Sequence, residues 1–199
     1  MNLQADITHA SLLIRLGSKG PEREVAWTDF YQLYAPVIAG FARRMGAVPK
    51  DVDDLVQEVL QSFFKANPEF VYEPAKGRFR GYLKTCVWKK LASARRKKTV
   101  ESHGIKHCEP DDVAIEAAWN DVWETERLGR ALSAVRQRYA INAERRRTFA
   151  AFEMCTLLDR PVEQVAAELQ MSLESVRAAK SRVSKALREE FDNLDEFNG

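Results

Sequence analysis

The sequence predicts an all-α fold of two small helical domains joined by an acidic linker, the second domain a helix-turn-helix. Three observations predict it. Apolar residues recur at helical spacing along most of the chain, and no segment alternates as a strand would. Charge is segregated: ten basic residues and no acid lie between Lys76 and Lys98, then eight acids and one lysine between Thr99 and Glu126. Near the C-terminus, "DRPVEQVAAELQMSLESVRAAKSRVSKALREEF" spells a short helix, a three-residue turn and a longer helix. The 199 residues divide accordingly into a helical domain (1–98), an acidic linker (99–125) and a helix-turn-helix domain (126–199).

Residues 8 to 17 read as a short amphipathic helix with Thr8 as its N-cap. Pro21 can open a second helix that runs to about Met45, before Gly46, with Pro36 expected to kink or divide it. Its apolar set includes Val25, Trp27, Phe30, Leu33, Tyr34, Val37, Ile38 and Phe41. The third helix has the clearest pattern. Val52, Leu55, Val56, Val59, Leu60, Phe63 and Phe64 form one face, and Asp51, Asp53, Asp54, Gln57, Glu58 and Gln61 form the other. Pro68, Pro74 and Gly77 mark a loop, and "GRFRGYLKTCVWKKLASARRKK" follows as a fourth helix.

That fourth helix has a plausible core stripe of Phe79, Leu83, Cys86, Val87, Leu91 and Ala94, with Tyr82 and Trp88 at its borders. Its unopposed lysines and arginines admit three readings. They are solvated charge around a core helix, or a phosphate site at Arg95–Lys98, or a surface where aromatics stack unpaired bases and cations hold phosphates.

The acidic segment that follows has Gly104 and Pro110 and no clear period, and is expected to turn helical after Asp111 or Asp112. Beyond it, Val162, Val165, Ala166 and Leu169 share one face of a helix opened by Pro161. Ser172 is the expected N-cap of the last helix, which Leu173, Val176, Val183 and Leu187 anchor. The opposite side of that helix presents Glu174, Ala178, Ser181 and Lys185, flanked by Arg177 and Arg182, and the N-terminal position of Glu174, Ser175, Arg177 and Ala178 favours them as readers over Lys185. Arg can bond guanine edges, Glu can accept from cytosine and Ala can meet a thymine methyl. A plain helical hairpin with a solvated face fits the same pattern.

Several classes are excluded or disfavoured. No apolar run approaches a membrane span, and the N-terminus has no signal-peptide pattern. Cys86, Cys108 and Cys155 are odd in number and form no CxxC pair, so a reducing cytoplasmic location is expected. His103, His107 and Cys108 lack a fourth zinc ligand nearby, so no metal is expected. No nucleophile constellation or phosphate loop is present, so neither catalytic residues nor cofactors are expected.

Residues 51 to 96, with "DDLVQEV", "GRFRGYL" and a basic tail, resemble region 2 of extracytoplasmic-function (ECF) RNA polymerase sigma factors. Residues 161 to 190 resemble region 4 of that family, and "SVRAAKSRVSKALREE" is similar to a subgroup frequent in planctomycete genomes. The resemblance implies a protein that binds core RNA polymerase and promoter DNA and assists promoter melting, and it leaves room for an anti-sigma factor. It gives Asp51, Asp53, Asp54, Gln57, Glu58 and Gln61 to polymerase docking. It gives Arg78, Arg80, Tyr82, Trp88, Lys89, Lys90, Arg95 and Arg96 to the melted −10 strand, with the loop from Asn67 to Lys76 helping to form a base pocket. It gives Glu174, Ser175, Arg177, Ala178, Ser181 and Arg182 to the −35 duplex. The linker would run through the polymerase, its acids mimicking nucleic-acid charge. Lys89 and Ser93 stand where many members carry Asn and Asp. The rival readings are a stand-alone helix-turn-helix regulator and a helical protein-interaction module.

Overall fold

The computed structural model describes residues 9–66, 79–101 and 111–194. Among them the chain is all-α, with eight α-helices and no strand. These are α1 (His9–Arg15), α2 (Pro21–Arg44), α3 (Val52–Ala66), α4 (Phe79–Glu101), α5 (Asp112–Tyr139), α6 (Ala143–Phe152), α7 (Val162–Leu169) and α8 (Leu173–Asn193). The chain separates into two compact units, and the division falls between Glu126 and Arg127, inside α5.

In the first unit, α2 begins at Pro21 and runs unbroken across Pro36, so the expected division there does not occur. It ends where Gly46 takes a φ of 80°. The Ala47 amide then donates to the Ala42 carbonyl and the Gly46 amide to that of Arg43, which satisfies the orphan carbonyls of the last turn. The amphipathic α3 buries Val52, Leu55, Val56, Val59, Leu60 and Phe63 against α2 and α4, which supply Phe30, Tyr34, Phe79, Leu83, Val87 and Leu91. Phe64 and Val25, both assigned to apolar faces by periodicity, are about half exposed. In α4, Cys86 is only partly buried and Ala94 is exposed, so the core stripe is narrower than expected.

Helix begins at Asp112, where the sequence reading of the 99–125 segment expects it, and its first half packs into the first unit. Residues 112–126 are helix, and Ile115, Trp119, Val122 and Trp123 belong to the core of the first unit. Trp119 lies edge-on to Phe41 with ring centres 5.1 Å apart, and Trp123 lies 6.1 Å from Tyr34. A Cβ on Gly40 would stand 2.8 Å from a Val122 methyl, so α2 and α5 cross closely only because residue 40 has no side chain.

In the second unit, Ala151, Cys155, Val165, Ala166, Val176 and Ala179 form one cluster among α6, α7 and α8. Val135, Phe149, Phe152 and Val183 join α5, α6 and α8 in another. A π turn, Glu153–Leu157, extends α6. Arg127, almost fully buried, caps the far end of α8 by donating to the Phe191 carbonyl at 3.2 Å. Gln170 ends α7 in the left-handed region at φ 52°, and Ser172 starts α8 by accepting from the Ser175 amide at 3.1 Å. Ser172→Ala is expected to cost the second unit about 1 kcal/mol. All four tryptophans, Trp27, Trp88, Trp119 and Trp123, lie in the first unit. Urea unfolding should therefore show a lowered midpoint by circular dichroism and an unchanged one by tryptophan fluorescence.

Candidate nucleic-acid interface

The helix α4 turns its basic residues in different directions, and the structure separates them. Arg80 donates to Asn120 at 2.5 Å, lies 4.0 Å from a Glu124 carboxylate oxygen, and holds its guanidinium 4.8 Å from the centre of the Trp123 ring. Lys84 pairs with Glu116. Arg44, on α2, pairs with Asp121 at 3.1 Å. One flank of α4 is therefore occupied by the acidic first half of α5. On another side, Lys90 reaches Glu58 of α3 at 3.5 Å. Arg95 lies over the Trp88 ring at 5.6 Å, and Trp88 packs against the core as a partly buried side chain.

Tyr82, Lys89 and Arg96 are exposed, and helical spacing sets them on one outward stripe of α4. Lys89 and Arg96 make no ion pair among the described residues. Tyr82 is 46% exposed, with its ring 6.0 Å from Phe63 and 6.2 Å from Phe79, so the core holds one edge of it. Of the eight positions assigned to the melted strand, these three form an exposed aromatic and cationic row. Arg78, the base-pocket loop and the His103, His107, Cys108 cluster lie outside the described residues.

The polar face of α3 is presented as its pattern requires. Asp53, Asp54, Gln57, Glu58 and Gln61 are exposed, and Asp51 is partly so. Gln57 and Gln61 also border a cleft of about 640 Å³ between α2 and α3, lined by Trp27, Tyr31, Leu60 and Phe64. The Arg23 guanidinium lies 5.2 Å from the centre of the Phe64 ring at this cleft. Sequence reasoning missed Tyr31 and Phe64 as surface groups, because spacing alone places both near the apolar stripe.

In the second unit, Glu174, Ser175, Arg177, Ala178, Ser181 and Arg182 are all exposed, while Val176, Ala179 and Val183 are buried on the opposite side of α8. Arg177 makes no ion pair among the described residues. Ser175 shares a hydrogen bond with Ser172, and the Arg182 Nε donates back to the Ala178 carbonyl at 3.4 Å. The structure adds neighbours that spacing did not reveal. Arg138 of α5 and Arg145 of α6 line a polar cleft together with Arg182. Lys185 is exposed beside Glu189. Arg160, before α7, bonds to Glu168, and that hydrogen bond holds its guanidinium pKa above the usual value.

Such surfaces can bind anions and stack planar groups. Among the described residues no cluster of three or more His, Cys, Asp or Glu side chains could hold a metal ion, and no helix is long and apolar enough to cross a membrane. Residues 30–100, which span α3, most of α2 and nearly all of α4, match the family model described as Sigma-70 region 2. No curated protein matches the chain.

Proposed function

We propose that the chain is an ECF-type sigma factor, which binds core RNA polymerase, recognises −35 and −10 promoter elements and assists promoter melting. The observation that carries this reading is the Sigma-70 region 2 match, which supports a sigma-70 family factor with polymerase and promoter DNA as partners. Region 4 identity is our reading of α7 and α8. A short helix, a three-residue turn and an N-capped helix with an exposed Glu174, Ser175, Arg177, Ala178 row suit a major-groove reader.

The roles divide by chemistry. Polymerase performs the synthesis, and this chain supplies specificity. The polar face of α3, with Asp53, Asp54, Gln57 and Gln61, suits a basic partner helix. The row of Tyr82, Lys89 and Arg96 suits a single strand, with Tyr82 stacking a base and the cations holding phosphates. On this reading, Tyr82→Ala weakens open-complex formation by about 1–3 kcal/mol, the usual worth of one base stack. Permanganate footprinting of the melted region measures it.

The deciding experiment is run-off transcription with core polymerase on the DNA upstream of the chain's own coding region. Specific transcripts that depend on this protein support the reading. Tight dimeric operator binding without polymerase, and no transcription with it, would establish a stand-alone regulator instead.

A further inference from the structure

We propose that the polar cleft where the end of α5, the start of α6 and the middle of α8 meet is a phosphate clamp, which grips the backbone of duplex DNA beside the bases that α8 reads. The proposal rests on the major-groove reading of the second unit and adds to it a holding site built largely outside the helix-turn-helix. The cleft encloses about 540 Å³ and lies wholly within the second unit. Arg138 of α5, Arg145 of α6 and Arg182 of α8 line it, against one lining carboxylate, Glu144. Like charges gathered from three helices repel one another, and an anion in the cleft relieves that repulsion.

Each arginine has donors left for such an anion. Arg138 pairs with Glu190 at 2.5 Å, with the glutamate side chain 13% exposed and the arginine 50%. The carboxylate takes the Nη2 end of the guanidinium, and the other N–H groups of the five-donor fork are left to the cleft. Arg145 sits in the first turn of α6, where its amide donates to the Asn142 cap at 2.9 Å, and its side chain has no ion pair among the described residues. Arg182 commits its Nε to the Ala178 carbonyl, which leaves its terminal N–H groups unbonded among the described residues. The planar fork of an arginine matches the oxygens of a phosphate better than a lysine does.

Helix geometry sets the cleft beside the reader row. Arg182 lies one turn beyond Ala178 and two turns beyond Ser175 on the same side of α8. The step from Ala178 to Arg182 is roughly 6 Å along the axis. The major groove is about 12 Å wide, so a helix reading base edges near its centre meets the bounding backbone at roughly that distance. This placement favours a duplex over a small free anion, because clamp and reader row then engage one ligand.

The test uses Arg145→Gln, Arg138→Gln with Arg145→Gln, and Arg145→Lys in the full chain, each checked for folding by thermal unfolding. The first probe is a labelled random-sequence duplex at a series of salt concentrations. The double variant is expected to bind about tenfold more weakly at low salt. Its slope of log affinity against log salt should fall by about 1, the change for one lost phosphate contact. Arg145→Lys keeps the charge and should keep the slope. Arg138 also ties α5 to α8 through Glu190, so Arg145→Gln alone carries the test if the double variant melts early. The second measurement is phosphate-ethylation interference with the holoenzyme on the DNA upstream of the coding region. Ethylation of a phosphate bordering the −35 element should block the wild type and cease to matter in the double variant. An unchanged slope, or an unchanged interference pattern, overturns the clamp, and continued run-off transcription then leaves the sigma reading standing. If the wild type binds no random duplex, the interference pattern decides alone. If inorganic phosphate raises the melting temperature of the wild type and not of the double variant, while the DNA slope is the same in both, the cleft is a small-anion site and the backbone assignment is overturned. A wild type with neither duplex binding nor transcription overturns the clamp and the sigma reading together.

Discussion

Phe30→Ala is expected to lower the stability of the first unit by about 3–5 kcal/mol, the range for removing a fully buried aromatic ring. Phe30 is completely buried where α2, α3 and α4 converge. Its ring stacks on Phe63 at 5.2 Å and meets Tyr34 at 4.5 Å, Trp27 at 5.3 Å and Phe79 at 5.8 Å. Those four rings come from three helices, so no single side chain can move to fill the space. Because every tryptophan lies in the first unit, urea unfolding followed by tryptophan fluorescence reads this unit alone. A shift below 1 kcal/mol would mean that the aromatic cluster closes over the gap. Tyr82, through Phe63 and Phe79, should loosen with it, so strand binding and stability are expected to fall together in this variant.

The same residues show what the sequence could reveal. Helix α3 was legible because its apolar positions keep a clean period and its polar face is continuous. Helix α8 was legible because Ser172 caps it and Val176, Ala179 and Val183 alternate with a polar side. In the first half of α5 the start of the helix after Asp111 was legible, but its place in the core of the first unit was not. Its acids made the segment look like a solvated linker, although Ile115, Trp119, Val122 and Trp123 keep helical spacing and are buried. Two tryptophans four residues apart were the available signal, and the charge run outweighed it. The division of the basic helix was also hidden. Arg80 and Lys84 find their partners 40 and 32 residues away, a distance at which charge pattern along the chain says nothing about pairing. Pro36, expected to kink or divide α2, does not divide it. A proline removes one backbone hydrogen bond and crowds the preceding turn, but burial of Tyr34, Val37 and Ile38 on either side holds α2 continuous.

Arg177→Ala is expected to relax −35 recognition at one base pair, costing about 1–3 kcal/mol there and little at other positions. That corresponds to roughly a tenfold loss for each 1.4 kcal/mol. Arg177 is exposed one turn into α8, beside the small side chain of Ala178, and has no ion-pair partner among the described residues to hold it back. The helix beneath it is fixed by Val176 and Ala179, both fully buried, so removing the arginine should leave the unit folded. Run-off transcription across a library of −35 sequences, with polymerase present, measures the effect. A base-reading arginine gives a penalty confined to one position. A phosphate contact gives a uniform loss over all sequences and a shallower salt dependence. Arg182 provides the contrast, since its Nε bonds the Ala178 carbonyl and it borders the cleft shared with Arg138 and Arg145. Arg182→Ala is therefore expected to weaken all sequences alike, and the two substitutions together separate reading from holding on a single helix.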